Sequence, residues 1–164
     1  MRMLASGVVL GVALGAFVGR SWRPLLDADI KLIPVLVGSL VLRVIAPLAA
    51  AAAYPLYLSA LALTAAAAVA NVRLKGAIFV ATGGVLNLLV VLANGGMPVD
   101  PAAVAAAGTR MPSDPLHVAL TDASLLRPLA DVIPLGIVHN VYSVGDFFIG
   151  AGGFLVPFML LSRK

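Results

Sequence analysis

Cysteine is missing from this chain altogether. That absence excludes a disulfide framework, a thiolate nucleophile and any zinc or iron–sulfur centre built on cysteine. Charge is scarce as well: 11% of residues are Asp, Glu, Lys or Arg, against about 25% in soluble globular proteins. The two histidines, His117 and His139, show no H-E-x-x-H spacing, so no metal site is expected. A P-loop, a dinucleotide G-x-G-x-x-G fingerprint, a G-x-S-x-G nucleophile elbow and a haem motif are also absent, and no cofactor is expected.

What the chain has instead is apolar residues, at 62% of 164, with a mean hydropathy of +1.09. One domain whose solvent is mostly lipid is the reading these numbers support. A net charge of +4 and a pI near 10.0 would admit nucleic acid as a partner. The eleven Lys and Arg, however, stand mostly singly or in pairs beside apolar runs, where membrane topology accounts for them, and no nucleic-acid partner is expected.

The apolar runs predict an all-α fold, a polytopic membrane helix bundle of about five transmembrane helices with a short helical extracytoplasmic cap. The spans fall at residues 3–18, 32–50, 54–70, 77–93 and 143–161, and the cap at 94–136. Arg2 ahead of an apolar run resembles a signal peptide, but no A-x-A site follows, and the run reads as a retained helix. Within it Gly7, Gly11, Gly15 and Gly19 recur every fourth residue on one stripe. Such a stripe suits close packing against a helix of the same chain; alternatively it is a seam for a homo-oligomer or a larger membrane complex.

In the cap, Asp100-Pro101 predicts a short helix over 101–107 with Gly108 as its stop, and Asp114-Pro115 predicts a second. The apolar pattern of Leu125, Leu126, Leu129, Val132 and Ile133 suggests an element lying on the membrane interface. Arg20, Arg23, Lys31, Arg73, Lys75, Arg163 and Lys164 share one side, opposite Arg2, Arg110 and Arg127. Positive-inside bias therefore puts the cap and the N-terminus outside a bacterial cytoplasmic membrane.

Asp131 and Asp146 flank the polar approach to the last span, and ionisable groups at membrane depth are functional suspects. Two carboxylates in a pocket of low dielectric share a proton, which equips one as base and the other as acid. The structural alternatives are equally concrete. Ser143-Val-Gly-Asp146 fits a capping box, and Asp131 has Arg127 or Arg43 within reach for an ion pair. Asn94, His117, Arg43 and Ser143 complete the candidate binding residues, while Asn87 in the fourth span needs a partner, most simply a neighbouring helix backbone.

Asn94-Gly-Gly-Met-Pro-Val99, Leu129-Ala-Asp131-Val-Ile-Pro134 and Tyr142-Ser-Val-Gly-Asp146 resemble a family of small bacterial multipass membrane proteins described only as a domain of unknown function. That resemblance implies a membrane location and no activity. The C-terminal part is also distantly similar to lipoprotein signal peptidases, whose second catalytic Asp opens the last helix in an Asn-x-Ala-Asp motif. The likeness implies Asp131 and Asp146 as a catalytic dyad with Asp122 in support, although Ser143 and Gly145 replace the motif Asn and Ala. The expectation is a non-catalytic accessory subunit or small-ligand-binding membrane module; the alternative is a membrane-embedded aspartyl hydrolase.

Overall fold

In the computed structural model, which describes residues 2–161, seven α-helices carry most of the chain. Five are apolar: α1 (Arg2–Phe17), α3 (Ile33–Ile45), α4 (Ala53–Ala70), α5 (Ala77–Asn94) and α7 (Val144–Leu160). Their bounds lie within a residue of the predicted apolar segments except at the end of α3, which stops at Ile45 rather than at residue 50. Among the described residues, Ala50–Ala70 and Ala77–Asn94 are long and apolar enough to cross a membrane; the other three are shorter. Arg163 and Lys164, part of the charge count above, lie outside the described residues.

Each helix ends where its sequence removes a helical option. Gly19, at φ +72°, closes α1. Pro47 supplies no N–H, and the chain leaves α3 through two 3₁₀ turns, Ala46–Leu48 and Ala50–Ala52, before α4 begins. At the far end of α7, Arg20 donates to the carbonyl oxygens of Phe158 and Leu161 and lies over the Phe158 ring, 3.9 Å from its centroid. A cation is favoured at that end of a helix. Two asparagines clamp links onto helix ends in the same way. Asn71, following α4, exchanges hydrogen bonds with both backbone groups of Lys31, and Asn94, closing α5, does so with Leu125.

The helices pack as a row in the order α3, α4, α5, α7, α1. Glycine makes the close crossings possible. A Cβ at Gly7 would collide with the Gly150 carbonyl oxygen, at Gly11 with that of Phe154, and at Gly15 with the Leu161 side chain. The stripe of Gly7, Gly11 and Gly15 thus packs against α7 and its end in the same chain. Gly19 departs from the predicted stripe: nothing lies within 4 Å of a Cβ there, and its role is the turn. Away from these seams the helices expose apolar residues, among them Val9, Leu10, Val44, Leu48, Ile78 and Leu92.

The cap is not all helical, which corrects the all-α expectation. Only α6 (Pro101–Ala106) forms as predicted, its N-cap Asp100 accepting from the Ala102 N–H. The second expected cap helix does not form. Asp114 Oδ1 accepts from the Leu116 N–H in a tight turn, and the chain enters strand β2 (His117–Ala119), which pairs in parallel with β1 (Met97–Val99). The expected interfacial element is reduced to a 3₁₀ turn at Arg127–Leu129, followed by β3 (Ile133–Leu135) pairing antiparallel with β4 (Asn140–Tyr142). Strand pairing satisfies every backbone group it engages, and over runs this short it outweighs helical periodicity.

Candidate functional site

Asp131 owes its position to the backbone on either side of it. Its N–H donates to the Pro98 carbonyl oxygen (2.9 Å) and its carbonyl accepts from the Asp100 N–H (3.0 Å). It thereby extends the pairing of β1 on the edge opposite β2. The residue is 8% exposed, and its Oδ1 is buried without a hydrogen-bond partner.

Asp146 is placed by a helix crossing. α5 and α7 meet at Gly83 and Gly145, where a Cβ on either would strike the backbone or Asn87 of the opposite helix. That contact brings Asn87 beside the start of α7. Ser143 caps α7 by accepting from the Asp146 N–H (3.1 Å) and donates its hydroxyl to Asn87 Oδ1 (3.0 Å). The Asn87 amide is thus oriented with its NH₂ toward Asp146, donating to Oδ1 at 3.1 Å. The capping-box reading holds for Ser143 only: the Asp146 carboxylate is held by Asn87. The partner of Asn87 is this pair of side chains rather than the helix backbone expected for it.

Both aspartates line one cavity of about 350 Å³, roofed by the cap and floored by α3, α4, α5 and α7. Arg43 reaches it from α3, its guanidinium 5.4 Å from the Tyr57 ring centroid, within the range of a cation–π contact. Among the described residues, no carboxylate lies within ion-pair distance of Arg43. On the cap side, His117 Nδ1 lies 2.8 Å and 3.0 Å from the two Asp114 oxygens. That carboxylate orients the imidazole.

Burial raises the Asp131 carboxyl to about 8, and the Asp146 charge adds to the effect while Arg43 opposes it. Near neutral pH Asp131 is therefore mostly protonated, a neutral acid whose partnerless oxygen accepts and whose hydroxyl donates. Beside it stand a free guanidinium and a carboxylate that already receives one hydrogen bond.

Of the residues singled out in the sequence, Asp131, Asp146, Arg43 and His117 meet at this cavity, and Ser143 supports it from behind. Asp122 does not. It is fully exposed in an ion pair with Arg127 (3.1 Å), which also removes Arg127 as a partner for Asp131. Asn94 lies outside the lining too, occupied by its clamp on Leu125. Sequence reasoning missed Tyr57, Asp114 and Arg110 as lining residues, and took Asn87 for helix packing alone. A Tyr in a long apolar helix, one of two there, and an Asp before Pro carry no spacing that would have marked them.

The model of DUF5317, a family of unknown function, matches residues 27–158. The chain belongs to DUF5317. No curated protein and no solved structure matches it. The portion matched to DUF5317 contains every residue lining the cavity, whereas α1 lies outside it.

Proposed function

We propose that this chain is a multipass protein of the bacterial cytoplasmic membrane that binds a small polar ligand in the cavity beneath an outward-facing cap. The membrane setting is supported by five apolar helices whose outer faces expose Val, Leu, Ile and Phe, since soluble monomers rarely expose contiguous apolar patches beyond a few hundred Å². Asp131, which has a buried oxygen without a partner and lines the same cavity as an Arg43 without a carboxylate in ion-pair reach, carries the binding reading. A buried polar group left unpaired costs about 1–3 kcal/mol, and a ligand that donates to Asp131 and accepts from Arg43 recovers it. The cavity volume falls within the range of small-molecule sites.

The test is a thermal shift of the detergent-purified protein with inorganic phosphate and glycerol phosphate. The expected result is a rise in melting temperature with at least one of them that is lost in both Asp131→Ala and Arg43→Gln. No shift with either compound, or a shift unchanged in both variants, defeats the reading.

A second reading is favoured by one observation, the two aspartates lining one cavity with Asp131 holding its proton. As an aspartyl hydrolase the chain would use Asp131 as acid and Asp146 as base toward water. Under it, Asp131→Asn and Asp146→Asn each abolish cleavage of a lipid-modified peptide in proteoliposomes, while Asp122→Asn leaves cleavage intact. Cleavage that survives either cavity variant removes this reading.

A further inference from the structure

The row of helices is open where its two ends, α1 and α3, face each other without packing together. Between them runs a second space of about 310 Å³ walled by Leu4 and Val8 of α1, Leu36 and Leu40 of α3, and Val156 and Leu160 of α7. It offers no polar group in search of a partner. The Ser39 hydroxyl donates to the Leu36 carbonyl oxygen, and that of Thr64 lies 2.8 Å from the Ala60 carbonyl oxygen and 3.0 Å from Ser39 Oγ. Leu4, Leu40 and Thr64 continue from this groove into a constriction of about 20 Å³, which ends at Arg43 and Asp146. Those two residues also line the polar cavity. Groove, neck and cavity thus share walls in succession, dry at one end and charged at the other.

We infer that the ligand is an anionic lipid, with one acyl chain in the α1–α3 groove and its phosphate at Arg43. This rests on the cavity reading above and adds the chain to it. The order of polarity is that of an amphiphile, and the small space between groove and cavity, about 20 Å³, has room for a methylene group or two but for no head group. Arg43 stands at the junction beside Asp146 with no carboxylate in ion-pair distance among the described residues, and guanidinium is well matched to phosphate oxygens. Val8 on the wall of the groove is half-exposed at the surface of the bundle, which gives a lipid a lateral way in.

The experiment compares three probes on the full chain in detergent: palmitoyl lysophosphatidic acid, glycerol phosphate and monopalmitoyl glycerol. Lysophosphatidic acid should bind at least about tenfold more tightly than glycerol phosphate, because its acyl chain gains apolar burial in the groove. Monopalmitoyl glycerol, which lacks the phosphate, should bind about tenfold more weakly than lysophosphatidic acid. Leu40→Trp, which blocks the neck, should remove the chain's advantage and leave glycerol phosphate binding unchanged; Arg43→Gln should weaken both phosphates. Should Leu40→Trp not fold, Val8→Trp at the lip makes the same test. Equal affinities for lysophosphatidic acid and glycerol phosphate, or a lysolipid affinity indifferent to both Trp variants, overturn the chain inference while leaving the cavity reading standing. Binding of none of the three probes overturns both.

Discussion

Asp131 keeps its proton because three neighbours fail to compensate for burial: its Oδ1 finds no donor, Asp146 repels the charge, and Arg43 offsets these only in part. The consequence for stability has a definite sign. An unfolded Asp ionises near pH 4 and the folded one near 8, so between those values the folded state binds the extra proton and stability falls as pH rises. Each pH unit in that window costs up to about 1.4 kcal/mol. Melting temperatures of the wild type in detergent should therefore decline from pH 5 to 8, and Asp131→Asn should flatten the decline; equal slopes would refute the assignment. Asn87 belongs to the same scale. Asn87→Leu leaves the Ser143 hydroxyl and the Asp146 carboxylate without their partner and should destabilise by about 1–3 kcal/mol, measured by thermal or denaturant unfolding.

At the level of elements, the crossing of α5 and α7 decides whether the site exists. Gly145→Ala drives a methyl group into the Asn87 amide and should both lower the melting temperature and abolish the pH slope assigned to Asp131. Gly38→Ala is its control. Nothing lies within 4 Å of a Cβ there, and α3 gains a better helix former, so stability should hold or rise by up to about 1 kcal/mol. The glycine seam of α1 works by the same geometry, and Gly11→Leu should detach α1 from α7, read out as faster proteolysis of the first helix.

For the whole molecule, the proposed orientation is open to a direct check, because a chain without cysteine accepts single probes cleanly. Ile137→Cys, at the almost fully exposed tip of the cap, should react with a membrane-impermeant maleimide on intact cells. Val72→Cys, in the exposed link between α4 and α5 at the opposite end of these helices, should react only after permeabilisation. The reverse pattern would invert the topology, and labelling of both sites on intact cells would exclude the membrane-spanning arrangement.

The five apolar helices and all but one of their ends were readable in the chain because each is specified locally: apolar length, proline and glycine stops, and an Asp or Ser cap are properties of neighbouring residues; the end of α3, at Ile45, fell short of the expected residue 50. So was the suspicion attached to Asp131 and Asp146, since a carboxylate beside an apolar run stands out in composition alone. The cap was misread as helical because its strands are three residues long and take their conformation from partners outside the local sequence, as Met97 does from His117, twenty residues on. Only tertiary structure could turn the stripe of Gly7, Gly11 and Gly15 onto α7, hand Asp122 to Arg127, and assemble Arg43, Asn87, Asp131 and Asp146 around one space. Short-range steric and hydrogen-bonding rules write the helices; the site is a meeting of four distant segments, and no local rule encodes where distant segments meet.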